Sequence, residues 1–201
     1  VEHVQIPALN EPHVETADVT VCTPSLPHRH NFLIDNMLSV RVQTVTPKAH
    51  LIGLDYARVG GQKMLNDLIR QADTTWVAPL ADDDIFYPDY LETLLDNVDD
   101  DTAMIYGWCK VSGNREGWDL CQPYSEEQLR KGPYIPATVM LRKDVWEELN
   151  GYSEIEVCED YAFQIKLLDA GYKIKNVPKV IWEYRFHGRN VSDGKILPWD
   201  V

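Results

Sequence analysis

Residues Trp76–Leu95 read WVAPLADDDIFYPDYLETLL, and the fold turns on how this stretch is read. A short apolar run, TTWVAPL, delivers the chain to Asp82, Asp83 and Asp84. Pro88 follows at a position suited to the first turn of a helix, where its missing N–H costs nothing. Leu91, Leu94 and Leu95 supply that helix with an apolar face. The segment therefore reads as buried strand, acidic loop, helix. Three adjacent carboxylates repel one another. A turn needs only one Asp or Asn, so a solvated acidic helix start leaves the other two unexplained. A hard divalent cation with oxygen ligands, shared with a substrate's phosphates, accounts for them better.

The sequence on either side repeats the strand–helix alternation. DVTVCTP (Asp18–Pro24) is a β-branched strand stopped by proline, and HNFLIDNMLSVRVQ follows with Leu33, Met37 and Val40 on one helical face. AHLIGLD (Ala49–Asp55) is a second strand, and GQKMLNDLIRQAD offers Met64, Leu65 and Leu68 as a helical stripe. TAMIYGWC (Thr102–Cys109) is a fourth strand after the acidic one. Such alternation predicts an α/β fold with a mainly parallel sheet flanked by helices. Ligands bind outside the carboxyl ends of its strands, which places Thr23–Ser25, Asp55 and Asp82–Asp84 on one rim. The second half is less regular. It reads as a turn, a ribbon and a short helix, then strand–helix in YIPATVMLRKDVWEEL. EDYAFQIKLLDAG is a helix with Tyr161, Ile165 and Leu168 inward, and YKIKNVPKVIWEYRFH is one or two strands.

The chain has 201 residues, 44% of them apolar, with six tryptophans and a formal net charge of −13. That is enough for one domain with a sizeable core, and the charge opposes nonspecific binding to nucleic acid or anionic lipid. The four cysteines form no CxxC pair, which argues against structural zinc and for reduced thiols in a cytoplasmic setting. The first residues lack the order of a signal peptide. No run approaches the roughly 20 apolar residues of a spanning helix.

Three cation-site readings of the acidic loop compete. A calcium loop counted from Asp82 needs glycine sixth and glutamate twelfth, where the chain has Tyr87 and Thr93. An aspartyl phosphatase would carry its DxD after the first strand. The third is a nucleotide-sugar transferase whose DxD carries a metal-bound diphosphate. The order of motifs favours the third. VTVCTPSLPHRHNFLIDNMLSVRVQT resembles the opening of family 2 glycosyltransferases of the GT-A fold, a Rossmann-like architecture. HLIGLD resembles their second strand, and NDLIRQADTTWVAPLADDDIFYPDYLETLL their helix, third strand, acidic motif and Pro-led helix. VMLRKDVWEELNGYSE, EDYAFQIKLLDAGYKIKNVP and YRFHGRNVS are similar to three later segments, so the resemblance runs from about Val19 to Ser192.

The resemblance implies one GT-A catalytic domain over residues 18–192, between an arm (1–17) and a tail (193–201). Within it, 18–109 forms the nucleotide-sugar-binding half and 110–192 the acceptor and catalytic half. It implies metal-dependent, inverting transfer from a nucleoside-diphosphate sugar, a UDP-sugar by preference, to an acceptor hydroxyl. The alternatives are a catalytically inactive nucleotide-sugar or carbohydrate-binding module on the same fold, and, less favoured, the phosphatase. The cofactor is Mn²⁺ or Mg²⁺, held by residues from among Asp82, Asp83, Asp84 and His187. Asp83 or Asp84 is the direct ligand, with Asp82 nearer the ribose or a metal-bound water. His187 stands equally well as a surface histidine. Asp160 is the base and Glu159 orients the site. Thr23, Pro24, Ser25, Arg29, Asp55, Asn66, Asp82 and Asp83 face the donor, with Asp55 accepting from the nucleobase. DYARVGG, which begins at Asp55, departs from the pattern and leaves the nucleobase open; Ala81 stands in place of a family aspartate, and the three acids after it still supply an Asp-x-Asp. Trp108, Trp118 and Tyr124 are candidates to stack on a sugar. Arg142 and Arg185 either contact phosphate or tie the second half together. The acceptor is not specified.

Overall fold

The computed structural model describes residues 16–113, 121–154, 158–187 and 190. The nominated Trp118 lies outside them. The acidic run does end a buried strand. Along the chain come β1 (Thr16–Ser25), α1 (His30–Arg41), β2 (Thr46–Leu54), α2 (Gly61–Gln71) and β3 (Trp76–Pro79). Then follow β4 (Ile85–Phe86), α3 (Tyr90–Leu95), β5 (Thr102–Gly113) and α4 (Glu126–Leu129). The last elements are β6 (Met140–Arg142), α5 (Lys143–Glu148), α6 (Glu159–Asp169) and β7 (Lys173–Phe186).

The strands form one seven-stranded sheet in the order β2-β1-β3-β6-β5-β7-β4. β1 pairs in parallel with β2 and β3, and β5 with β7. β6 and β4 run antiparallel to their neighbours. Successive residues along a strand enter opposite core layers, as the pleat requires. Cys22, Val77, Met104 and Leu141 pack with α2, α5 and α6 through Ile69, Trp146 and Phe163. Val21, Ala78, Ile105 and Met140 pack with α1 and α3 through Val40, Leu91 and Leu94. The fold is a mixed α/β sheet flanked by helices on both faces. The two halves read from the sequence share it, because β6 from the second half lies between β3 and β5 of the first.

Two details differ from the sequence expectation, and one alternative it left open is decided. β4 is an added two-residue strand directly after the acidic loop, paired with β7. The final strand is a single one of 14 residues. The inward face of α1 is Asn36, Ser39 and Val40, with Gln43 buried just beyond it, while Met37 is 45% exposed. This polar face has a cause. β3 and β4 are short, so the segment between β3 and α3 carries backbone groups that no ladder satisfies. Asn36 Nδ2 donates to the carbonyls of Ala81 (2.9 Å) and Asp84 (3.2 Å), and Ser39 Oγ accepts from Phe86 N–H (3.2 Å). Gln43 donates to Tyr87 O and accepts from Leu91 N–H. A buried orphan of this kind costs about 1–3 kcal/mol, enough to override the apolar phase of the helix.

Candidate functional site

β1 and β3 end side by side, Cys22 opposite Pro79, and Leu80 N–H bonds Cys22 O at 3.0 Å. The acidic loop therefore starts beside Thr23–Ser25. Asp55 joins the same rim, its N–H donating to Ser25 O at 2.8 Å. This is the carboxyl end of the parallel strands. An open depression of about 500 Å³ between Asp18, Lys48 and Lys143 lies at the opposite, amino end and shares no residue with the rim.

All three aspartates are buried, and they face different ways. Asp82 accepts from Ser25 Oγ (2.6 Å) and pairs with Arg29 Nη1 (3.0 Å). Burial pushes its carboxyl above the ordinary value, opposed by Ser25 and Arg29. Asp83 Oδ2 meets Arg29 Nη2, His187 Nε2 (3.0 Å) and Asn190 Nδ2 (3.3 Å). Asp84 points into the fold, where Oδ1 accepts from Arg185 N–H at 3.1 Å. Burial, with Asp83 beside it, holds this carboxyl well above the usual range. Asp84 ties β7 to the loop, and Asp83 presents its oxygen to the site.

A shelf that the sequence did not reveal supports this cluster. Phe32, from the first turn of α1, stacks on the His187 ring with centroids 4.5 Å apart. The Arg29 and Arg185 guanidiniums lie 5.7 and 5.2 Å from its centroid. Arg185 also donates to Asp83 O and Phe32 O and pairs with Asp35 at 2.7 Å, so it ties the second half to the first. Asn190 Oδ1 accepts from His187 N–H at 2.9 Å. Its spacing, three residues after the histidine in HGRN, was the one available signal.

Other nominated residues have local tasks. Thr23 is fully buried, its hydroxyl 2.9 Å from His50 Nε2 and 3.4 Å from Asn36 Oδ1, which links β1 to β2 and α1. Pro24 is half-buried on the rim between Thr23 and Ser25. Asp55 closes its own turn, accepting from Val59 N–H (2.8 Å) and Gly60 N–H (2.9 Å), which holds its carboxyl below the usual value. Asn66 is buried, and its side-chain partners are on the segment after α5. Its amide donates to Tyr152 O (2.8 Å) and accepts from Tyr152 N–H (3.1 Å), clamping α2 to the segment after α5. Arg142 pairs with Asp144 opposite Trp76, at the far end of β3. Trp108 donates to Gln122 O at 3.3 Å, while Tyr124 packs against the core.

Glu159 and Asp160 open α6. Glu159 Oε2 accepts from Gln62 Nε2 at 3.1 Å, which ties this helix start to the start of α2, just beyond the Asp55 turn. Asp160 is half-buried, and burial, then the Glu159 carboxylate, raise its carboxyl to about 6.

Among the described residues no three His, Cys, Asp or Glu side chains form a ready metal cage. Asp83 Oδ2 and His187 Nε2 nevertheless converge, and Arg29 Nη2 contacts both. A cationic group already sits on the two atoms that suit a divalent ion. The pair fits an ion such as Mn²⁺ or Mg²⁺ whose remaining ligands come from phosphate oxygens and water.

A twisted α/β sheet carrying an acidic loop at its carboxyl rim is the architecture of GT-A nucleotide-sugar transferases. Three structures of S. aureus TarS share this fold. The 1–349 fragment superposes with a TM-score of 0.63 at 14% identity, covering 83% of this chain and 60% of that one. Its complex with UDP gives 0.64 at 13% identity, covering 85% and 61%. Its complex with UDP-GlcNAc gives 0.66 at 13%, covering 89% and 61%. The chain thus spans about three fifths of that fragment's length. No curated protein matches the chain significantly. The sequence model of glycosyl transferase family 2 matches residues 40–147, and the chain belongs to that family. The match runs from the end of α1 into α5 and includes the acidic loop; Thr23–Arg29 lie before it, and Asp160 and His187 after it.

Proposed function

We propose that this chain transfers a sugar from a nucleoside-diphosphate sugar, with uridine as the base, to an acceptor hydroxyl with inversion. The observation that carries the reading is the convergence of Ser25, Arg29, Asp82, Asp83, His187 and Asn190 at the carboxyl rim. Two structures similar in fold are complexes with UDP and UDP-GlcNAc.

A divalent ion bound there would neutralise charge on the leaving diphosphate. Asp83 and His187 would hold it, since Asp84 is committed to the β7 backbone. Ser25 and Arg29 fix Asp82 at the edge of the same site. Asp160 takes the acceptor's proton as its oxygen bonds to the anomeric carbon, and the diphosphate departs from the opposite face. A carboxyl near 6 suits this task, because it is ionised at neutral pH yet more basic than an ordinary aspartate. Glu159 keeps α6 in register through Gln62.

Thermal shift and calorimetry with UDP-, GDP- and TDP-sugars, each with Mn²⁺ and with EDTA, test the reading. Metal-dependent binding of a UDP-sugar is expected, lost in Asp83→Asn and kept in Asp84→Asn. Absence of metal-dependent binding to every nucleotide would refute it. Binding without donor hydrolysis or transfer would indicate a binding module instead.

A further inference from the structure

Arg29 lies on the atoms that the proposed metal needs. Its Nη2 contacts both Asp83 Oδ2 and His187 Nε2, the latter at 3.2 Å, while Nη1 holds Asp82 Oδ1 at 3.0 Å. One planar guanidinium thus bridges two buried carboxylates and caps the histidine nitrogen. The Arg29 side chain is only 16% exposed, and those of Asp82 and Asp83 are 3% and 8% exposed. Water therefore screens these charges little. Without a positive partner the adjacent carboxylates would repel strongly at such burial.

The guanidinium and a divalent ion cannot share Asp83 Oδ2 and His187 Nε2. We propose that Arg29 is a displaceable internal cation that holds the site together before substrate arrives and is exchanged for the metal. With a metal held by Asp83 and His187, the Arg29 guanidinium would leave those two side chains and turn to the donor's diphosphate. A planar guanidinium fork suits two phosphate oxygens as well as it suits two carboxylates. Arg29 caps the start of α1 on a flexible side chain and is anchored there by backbone bonds, its N–H to Leu26 O and its carbonyl to Leu33 N–H. The head group is therefore free to change partners while its Cα stays fixed. The consequence is coupling. Metal alone must break the Arg29 contacts without recompense, and nucleotide alone meets a guanidinium already engaged. Each should bind weakly by itself and tightly with the other, by the reciprocal factor that linkage requires.

This inference rests on the metal-assisted reading above, and the test separates the two. Mn²⁺ binding to the full chain is followed by the loss of its free-ion electron paramagnetic resonance signal, with and without UDP. Melting temperature is recorded in parallel, for wild type, Arg29→Gln and Arg29→Lys. In wild type, UDP should tighten Mn²⁺ binding by roughly tenfold or more. In Arg29→Gln, Mn²⁺ alone should bind about five-fold or more tighter than to wild type, and UDP should add less. Arg29→Gln should melt lower in EDTA and gain more from Mn²⁺ than wild type does, which a merely misfolded variant would not show. Arg29→Lys, keeping the charge without the fork, should fall between. If Arg29→Gln binds Mn²⁺ no tighter than wild type while both bind Mn²⁺ with UDP, the exchange is wrong and the metal reading stands. If UDP binds wild type equally in EDTA and only Arg29→Gln loses it, Arg29 is a permanent diphosphate clamp, and the exchange is again wrong. If no variant binds Mn²⁺ even with UDP, the metal reading falls and takes the exchange with it.

Discussion

Asp160 shows how far one side chain's surroundings set its chemistry. An ordinary aspartate is a weak base, whereas burial and the Glu159 carboxylate lift this one to about 6. A carboxyl raised on folding stabilises the fold while protonated, and that contribution is lost as pH rises through about 6. Asp160→Asn removes the cost of ionisation. It should therefore stabilise the protein at about pH 8 by on the order of 1–2 kcal/mol, with the gain fading to nothing below about pH 4. Urea unfolding across that range reads the effect. The same variant should slow donor turnover by about 10²–10⁴-fold, and the wild-type rate should decline with acid through about pH 6. A variant that is more stable and less active at high pH is the signature of a base held against its solvation preference.

Helix α1 carries the lesson at the next scale. Its periodicity predicts an apolar face through Leu33, Met37 and Val40, yet the buried positions are Asn36, Ser39 and Val40, followed by Gln43 beyond the helix end. The deciding groups lie about 45 residues away, on the backbone between β3 and α3. No count of apolar residues within the helix could reveal them. Asn36→Leu should cost roughly 2–4 kcal/mol, because two carbonyls lose their donor, and Ser39→Ala roughly 1–3 kcal/mol, because Phe86 N–H loses its acceptor. Met37→Gln on the exposed side should stay within about 0.5 kcal/mol. Chemical denaturation of the three variants checks the ordering, and an Asn36→Leu as stable as Met37→Gln would contradict it.

Across the whole molecule, the site exists because β7 is laid in parallel along β5 over its full length. That pairing brings Arg185, His187 and Asn190 to an acidic loop about 100 residues earlier in the chain. Gly113, at φ +95°, ends β5 opposite Phe186, and a Cβ there would strike the Phe186 carbonyl. Gly113→Ala should therefore destabilise the protein by about 2 kcal/mol or more and, by shifting the end of β7, weaken Mn²⁺–UDP binding as well. Unfolding and calorimetry together test this. A stable variant with intact binding would show that the end of β7 is not what positions His187.

The sequence by itself determined the α/β alternation, the helix start at Glu159–Asp160 and, to within a residue or two, the strand ends it read at Pro24, Asp55 and just before the acidic triplet. These are local signals: β-branched runs, proline stops and helical periodicity lie within a dozen residues of what they specify. It also raised the expectation of a cation at the acidic loop, because three adjacent carboxylates repel one another unless their charge is offset. Only the tertiary structure decided which aspartate faces the site. Asp83 and Asp84 are chemically identical neighbours, and the long-range β7 pairing commits one to the Arg185 backbone and the other to His187. The tertiary structure likewise chose the partners of Thr23 and Asn66, since His50 and Tyr152 lie 27 and 86 residues away. Arg29 became the counter-cation for the same reason: its charge is legible in the sequence, but the carboxylates it neutralises are chosen by the fold.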